Sequence, residues 1–322
     1  MMNKENNNTL SHEAELVIEE VKKAVVGKDR IIENIMAAIV ADGHILIEDT
    51  PGVGKTTMAV AFAKALGLFQ KRVQFTPDVL PADLTGFSIY DKKTNSFVYQ
   101  EGTVMCNLLL ADEINRTSPK TQSALLEVME ERKVTVDGVT RSTGQPFIVI
   151  ATQNPEGSAG TQLLPESQLD RFVIAINMGY PSVEEEVEIL KRRQQGSVVE
   201  TVRTILDANR LIQMQEEARK TYVSDAVYAY IANLAKATRE NEYLVQGVSP
   251  RGTVALASIA RACAWLQGRD YVIPRDVKGI FAEVVKHRVR LNTKAKVSKV
   301  NLDDVLQNIL KDVEEPTLRN QQ

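Results

Sequence analysis

The sequence predicts a three-layer α/β domain with a mainly parallel five-stranded sheet, followed by a separate all-α domain. Up to about residue 180, short apolar runs alternate with segments rich in helix formers, as in sheets buried on both faces. After Tyr180-Pro181 only helical spacing remains. We therefore place the α/β domain at residues 11–199 and the helical domain at residues 200–322. The Asn-rich stretch 1–10 is predicted to be a disordered polar tail.

Composition places the chain among globular proteins of the reduced cytoplasm. Of its 322 residues, 43% are hydrophobic and 25% charged, and the net charge is −3. This charge gives no global attraction to nucleic acid or acidic membranes. No apolar stretch reaches the roughly 20 residues that span a bilayer, and the first residues form no signal-peptide core. Cys106 and Cys263 lie far apart, without metal-ligand spacing, and are interpreted as core residues.

The elements are predicted in chain order from hydrophobic spacing and turn chemistry. Two helices come first, one capped by Ser11 and one carrying apolar residues from Ile31 to Val40. Strands follow at residues 45–47, 72–75, 106–111, 146–152 and 173–176, with hairpins around residues 91–95 and across Asp137-Gly138. The later helices are predicted near residues 182–196 and 202–218, after Ser224, Pro250 and Pro274, and from Leu302.

The stretch from Glu48 to Thr57, called here the phosphate loop, is the strongest functional signal. It follows a buried strand and runs through Gly52, Val53 and Gly54 into a helix, which is the arrangement that binds nucleotide phosphates. Small residues let backbone N–H groups curl around the phosphates. Its contributing residues are Pro51, Gly52, Val53, Gly54, Lys55, Thr56 and Thr57. We expect Lys55 to reach the β- and γ-phosphates of ATP and Thr56 to hold Mg²⁺.

Asp49 departs from the glycine that the phosphate-loop pattern expects. A carboxylate that faced the phosphates would be repelled by them. We therefore expect Asp49 to turn away, towards solvent or a basic partner.

Val26 and Gly27 separate the first two predicted helices. They either lie beside a bound base or form an ordinary turn between helices, and their spacing does not distinguish the two.

Two carboxylates and an amide follow the next buried strands. Asp112 is expected to hold Mg²⁺, directly or through water, and Glu113 to polarise the attacking water. Asn154 ends the following strand and either positions that water or serves the turn before Pro155. Taken together with Lys55, these three residues indicate nucleotide hydrolysis more strongly than any one of them does alone.

Two arginines complete the candidate catalytic set. Arg171 sits just before an apolar strand and either bonds Asp170 or serves a neighbouring subunit, where its planar guanidinium suits phosphoryl transfer. Arg251 stands at a helix start, where the helix dipole is unfavourable to a cation. It is either a surface arginine or faces an anion such as a terminal phosphate.

The chain resembles MoxR-type AAA+ ATPases over nearly its whole length. The resemblance is carried by the phosphate loop and by the segments 76–86, 110–116, 120–127, 151–155, 164–166, 169–172 and 249–252. It implies Walker A at Lys55 and Thr56, Walker B at Asp112 and Glu113, sensor 1 at Asn154, an arginine finger at Arg171 and sensor 2 at Arg251. It also implies that the Asp137-Gly138 hairpin precedes sensor 1, and that residues near 84–101 form the insertion of this clade.

The resemblance further implies a hexameric ring ATPase with a chaperone-like role, often acting with von Willebrand factor A-domain proteins. The sequence departs from the family at Asp49 and at Gly102-Thr103-Val104-Met105, where Gly-Pro-Ile-Phe is more usual. The first departure bears on nucleotide affinity and the second on local packing.

Two other functions are weighed against this one. A nucleic-acid motor of the same clade would share the hairpin and use Arg132, Lys133 and Arg141, but the acidic balance and the lack of interleaved aromatics disfavour it. A small-molecule kinase would share only the phosphate loop. It would leave Asn154, Arg171 and the helical domain unexplained.

Overall fold

A computed structural model describes residues 2–49, 52–154, 164–194 and 196–316, with side chains from residue 9 onward. The strands are β1 (His44–Glu48), β2 (Gln70–Gln74), β3 (Gly86–Asp91), β4 (Ser96–Glu101), β5 (Leu108–Asp112), β6 (Lys133–Val136), β7 (Val139–Ser142), β8 (Ile148–Gln153), β9 (Phe172–Ile176), β10 (Leu244–Gln246) and β11 (Arg290–Leu291). The helices are α1 (Met2–Ala24), α2 (Asp29–Val40), α3 (Lys55–Ala65), α4 (Pro81–Thr85), α5 (Pro119–Glu131), α6 (Glu166–Leu169), α7 (Val183–Gln194), α8 (Ala208–Arg219), α9 (Asp225–Glu240), α10 (Pro250–Leu266), α11 (Pro274–Val285), α12 (Thr293–Val297) and α13 (Leu302–Asp312).

The central sheet has five strands in the order β2-β5-β8-β1-β9, and each neighbouring pair is parallel. Its strands are apolar because both faces are covered. Leu108 and Leu110 of β5 face a core shared with α1, α2 and α3, whereas Leu109 and Ala111 face a second core shared with α5. The predicted three-layer α/β architecture is therefore confirmed.

Both predicted hairpins are present outside this sheet. β3 pairs with β4, and β6 pairs with β7 across Asp137 and Gly138, which both have positive φ angles, 52° and 76°. Such a turn matches the twist of the two strands. The guanidinium of Arg141 lies 3.9 Å from the ring centroid of Tyr99, so the two hairpins contact each other.

The C-terminal part is helical, with one exception to the all-α prediction. β10 and β11 form a two-stranded antiparallel ribbon between helices. The helix predicted to begin near residue 202 begins only at Ala208, because the side chain of Asp207 caps it by accepting from Arg210 N. Ahead of that cap, Ile205 N bonds Ala65 O at 2.8 Å and fixes the chain against α3.

The first helix starts earlier in the chain than predicted. α1 starts at Met2, so residues 2–10 are helical, whereas the sequence predicted a disordered polar tail. Leu10 is buried in the core shared with α2 and the C-terminal helices. Burial of Leu10 stabilises the turn of α1 that precedes the predicted Ser11 cap.

His44 makes the stability of the fold depend on pH. Its Nδ1 accepts from Val149 N at 3.0 Å and its Nε2 faces Met129 O at 2.9 Å, so the ring is neutral. Burial is the main reason that the pKa of His44 is lowered to about 4.

We expect acid to weaken the fold through His44 at pH values between the lowered pKa and the ordinary 6.5. In that window the unfolded chain takes up a proton that the folded chain does not, so stability falls as pH falls. Between pH 7 and pH 5 the loss from His44 should be about 2 kcal/mol. Urea unfolding of the protein and of His44→Gln at both pH values measures it. Equal pH dependence in the two proteins would contradict this assignment.

Candidate active site

The polar residues predicted on separate strands meet at one edge of the sheet. β1, β5 and β8 are parallel neighbours, so their carboxyl ends lie side by side. Lys55 follows the end of β1, Asp112 and Glu113 stand at the end of β5, and Asn154 follows β8. The fold thus brings these four residues together in the crevice where α/β sheets bind ligands.

The described part of the phosphate loop has an open backbone cradle. Gly52 and Gly54 have φ angles of 92° and 93°, and an added Cβ on either would meet no atom within 4 Å. α3 begins at Lys55, so its N-terminal N–H groups face the same space. Pro51 lies outside the described residues.

Lys55 is buried and is the first residue of α3. Its Nζ donates to the backbone oxygen of Asp49 at 2.7 Å. Burial lowers the pKa of Lys55, opposed by the negative charges of Asp49, Asp112 and Glu113. An ammonium taken out of water in this way gains strongly from an anionic ligand.

A cavity of about 540 Å³ adjoins the phosphate loop. It is lined on one side by Gly54 and Thr57 and on the other by Val26, Pro181 and Ile189. A volume of this size with an apolar wall suits a nucleoside.

Of the two residues predicted beside a base, only Val26 lines this cavity. Gly27 packs against α7 instead, since a Cβ there would lie 1.6 Å from the Glu185 carboxylate.

Asp49 does not face solvent, which was one of the two directions expected for it. The residue is buried, and its Oδ2 accepts from Gly179 N at 2.6 Å. Gly179 belongs to the segment between β9 and α7, so Asp49 ties the phosphate loop to the wall of the cavity. The carboxylate therefore has a structural partner.

Replacement of Asp49 by Gly should leave the ATP dissociation constant within about threefold of its original value, while lowering stability by about 1–2 kcal/mol through the lost bond to Gly179. Calorimetric titration and urea unfolding measure the two effects. Asp49→Asn, which keeps an acceptor oxygen, is the matched control. A large gain in affinity in Asp49→Gly would show instead that the carboxylate repels the phosphates.

Glu113 is held by three side chains. Its Oε2 accepts from Gln74 Nε2 at 3.0 Å and Arg116 Nη1 at 2.9 Å, and its Oε1 accepts from Asn154 Nδ2 at 3.2 Å. Burial alone would raise the pKa of Glu113, but the bonds from Arg116 and Asn154 hold it below its usual value. Its φ of 57°, rare for a non-glycine residue, indicates backbone strain of the kind found at functional sites.

Asp112 has both carboxylate oxygens engaged. Arg72 Nε donates to Oδ2 at 2.8 Å, and Thr152 Oγ1 donates to Oδ1 at 3.3 Å. Within the described residues, no group of three or more His, Cys, Asp or Glu side chains is arranged to hold a metal ion. A cation here would depend on a bound nucleotide, with Thr56 and Asp112 as the protein's contribution, which is the usual way proteins hold Mg²⁺.

Asn154 is positioned by the turn that follows Glu113. Its backbone N donates to Asn115 Oδ1 at 3.3 Å, and its backbone oxygen accepts from Asn115 Nδ2 at 3.1 Å. With Nδ2 on Glu113, its Oδ1 is a buried acceptor without a partner among the described residues. A buried acceptor of this kind next to a carboxylate suits an ordered water molecule.

Arg171 and Arg251 lie at the opposite edge of the sheet. Arg171 precedes β9, and the amino end of the parallel sheet is also where His44 opens β1. A five-residue strand is roughly 15 Å long, so Arg171 cannot serve the phosphate loop of its own chain. Arg171 Nε donates to Glu130 Oε2 at 2.9 Å, and Arg251 Nη2 donates to Glu130 Oε1.

A buried ion pair fixes this arginine region to the C-terminal helices. Arg288, almost wholly buried, donates through Nε to Asp170 Oδ1 at 2.6 Å. Ser249 Oγ donates to Asp170 Oδ2 at 2.8 Å. Asp170 thus pairs with Arg288 and not with Arg171, and it connects the loop of Arg171 to the start of the helix that carries Arg251.

Sequence reasoning missed the residues that hold the predicted ones. Gln74, Arg72 and Arg116 bind the two carboxylates, and Glu130 binds the two arginines. One signal was available for Gln74: it lies near the end of the strand predicted at residues 72–75, and its register partner in β5 is Asp112. Nothing in the sequence pattern singled out Glu130.

The comparisons with known proteins agree with this fold. Residues 44–174 match the family described as "ATPase family associated with various cellular activities (AAA)", and residues 236–309 match "AAA lid domain". The uncharacterised protein YeaC of Bacillus subtilis is 45% identical over 94% of this chain and 95% of its own length. The protein named Chaperone MoxR1 of Mycobacterium tuberculosis is 40% identical over 95% of this chain and 83% of its own.

A crystal structure of a proposed ATPase from Cytophaga hutchinsonii superposes with a TM-score of 0.91, at 36% identity over 98% of both chains. Sheet, phosphate loop and lid define a nucleotide-binding ATPase of the AAA+ class. The chain belongs to the MoxR-type AAA+ ATPases. No helix in the described part of the chain is long and apolar enough to cross a membrane.

Proposed function

We propose that the protein is a Mg²⁺-dependent ATPase that assembles into a ring, most simply a hexamer, and uses hydrolysis to remodel protein clients. ADP and phosphate are the products. The site supplies groups for binding, for orienting water and for accepting its proton.

The observation that carries this proposal is the separation of the two halves of the site. Lys55, Glu113 and Asn154 stand at one edge of the sheet, whereas Arg171 and Arg251 stand at the other. A site that uses all five residues therefore needs two chains, each giving its carboxyl edge to one neighbour and its amino edge to the next. Such head-to-tail contacts form a ring when the rotation from one chain to the next closes.

Each residue has a role that fits its surroundings. Lys55 and the loop N–H groups hold the phosphates, and Thr56 and Asp112 hold Mg²⁺, which neutralises charge on the phosphates when bound. Glu113, kept ionised by its partners, takes the proton of the attacking water, and the Oδ1 of Asn154 orients that water.

Protein clients are favoured by the relatives. One relative is named as a chaperone, and we extend that role to this chain, with von Willebrand factor A-domain proteins as candidate partners. The exposed apolar side chains on the β3–β4 hairpin, among them Phe87, Ile89 and Phe97, are compatible with a protein ligand.

The nucleic-acid motor remains the second candidate. Lys133 is half-exposed on β6, but it is bound to Glu131 at 3.3 Å, and Arg141 is stacked on Tyr99. Both cations are therefore engaged within the chain, which weakens their case as phosphate contacts.

Assembly-dependent hydrolysis tests the proposal. Phosphate release per subunit should rise with protein concentration in step with sedimentation of an oligomer in ATP and Mg²⁺. Full activity in a monomer would refute the shared site. Stimulation by double-stranded DNA that persists at about 0.15 M salt, with no effect of added protein clients, would favour the nucleic-acid motor.

A further inference from the structure

Glu130 is the meeting point of the two arginines at the amino-terminal edge. It stands one residue before the end of α5. Arg171 Nε and Arg251 Nη2 each bind a different oxygen of its carboxylate. The hydrogen bond from Arg171 is the main cause that lowers the pKa of Glu130, so the group is a carboxylate at neutral pH.

We propose that Glu130 is a positioning residue that holds Arg171 and Arg251 as one preformed pair for the neighbouring subunit's nucleotide. The inference rests on the proposed function, because it requires both arginines to act across a subunit boundary. Glu130 itself would not touch the phosphates. It would act through the two guanidinium groups.

The need for such a residue follows from charge. Two guanidinium cations placed side by side repel each other, and each would otherwise turn towards solvent or another acceptor. A carboxylate between them removes the repulsion and fixes both planes. Each guanidinium has five N–H donors in one plane. The donors that do not bond Glu130 therefore remain available to an incoming phosphate.

The two arginines reach Glu130 from different parts of the chain. Arg171 comes from the loop before β9, and Arg251 from the first turn of α10 in the C-terminal domain. Their side chains are only 28% and 45% exposed, and Glu130 is 40% exposed. The pair is thus accessible to a partner but depends on α5 for its alignment.

The test is the kinetics of Glu130→Gln at protein concentrations where the ring is assembled. We expect kcat to fall by roughly 10- to 100-fold, as for a catalytic group displaced by about an ångström. The affinity of the isolated chain for a fluorescent nucleotide should stay within about twofold, because Glu130 is far from its own chain's phosphate loop. The KM for ATP in the ring should also stay within about twofold, because the arginines act on charge that develops in the transition state. Glu131→Gln, one residue away and bound only to Lys133 among the described contacts, is the matched control.

Two further measurements separate positioning from a structural role. In a protein that already carries Arg171→Ala and Arg251→Ala, Glu130→Gln should change kcat by less than about twofold. Mixed with Glu113→Gln subunits, Glu130→Gln subunits should regain activity, since each then supplies what the other lacks. Glu130→Asp, which keeps the charge but has a shorter reach, should lie between Gln and the original residue.

The outcomes also separate this inference from the proposed function. Wild-type kcat in Glu130→Gln, or an equal loss with and without the arginines, would overturn the positioning role while leaving the shared site intact. Full activity of Arg171→Ala would overturn the shared site itself, whatever Glu130→Gln does.

Discussion

Replacing Glu113 by Gln is expected to leave ATP binding intact and to slow hydrolysis by roughly 10²- to 10⁴-fold. Gln has nearly the same shape and keeps an oxygen for Asn154, whose Nδ2 lies 3.2 Å from the carboxylate. It cannot accept a proton from water. The loss should therefore appear in kcat alone. Single-turnover phosphate release and nucleotide titration separate the two quantities.

Two further variants are compared with Glu113→Gln. Glu216→Gln changes an exposed glutamate of α8 and should behave as the original protein. Lys55→Ala should instead weaken nucleotide binding strongly, because it removes the cation that faces the phosphates. If Glu113→Gln turned over ATP at the original rate, the residue would have no part in activating water.

Replacing Arg171 by Ala is expected to lower kcat by about 10³-fold or more, the range found for arginine fingers, with nucleotide affinity of the isolated chain unchanged. Arg171 is separated from its own phosphate loop by the length of the sheet. The loss must then come from the neighbour's site. Arg203→Ala, at an exposed position, provides a control for the loss of a positive charge.

Mixing two inactive proteins tests whether Arg171 acts at the site of a neighbouring subunit. In an equal mixture of Arg171→Ala and Glu113→Gln subunits, about a quarter of the sites in a randomly assembled ring combine an intact Glu113 with an intact Arg171. We expect activity near that fraction of the original. If the mixture stayed inactive although mixed rings formed, Arg171 would not act between subunits.

The fold was largely readable from the sequence because strands buried on both faces leave a clear apolar signal. β5 and β8 are examples: all of their residues are buried. The start of α8 was not readable, since Asp207 as a cap is one residue among several polar ones there. Nor was the β10–β11 ribbon, whose two short strands lie more than 40 residues apart in the chain.

The candidate site residues at the carboxyl ends of the strands were predictable for a physical reason. Strand ends in a parallel sheet meet at one edge, so polar residues that follow apolar runs are brought together. Lys55, Asp112, Glu113 and Asn154 are all of this kind. Glu130 and Arg288 are not, because helix ends and buried arginines acquire partners only through tertiary packing, which sequence spacing does not encode.

α5 spans the distance between the two halves of the site. Near its start, Gln122 Nε2 donates to Ile114 O at 3.0 Å, in the turn that follows Glu113, and Glu130 stands at its far end. Thirteen residues of helix make a stiff rod of roughly 20 Å. A movement of the turn after Glu113 would therefore displace the far end of α5 and, through Glu130, the two arginines. In a closed ring, α5 of each subunit would link hydrolysis at that subunit's own site to the arginines of the adjacent site. The influence of one subunit on the next would then run in one direction around the ring.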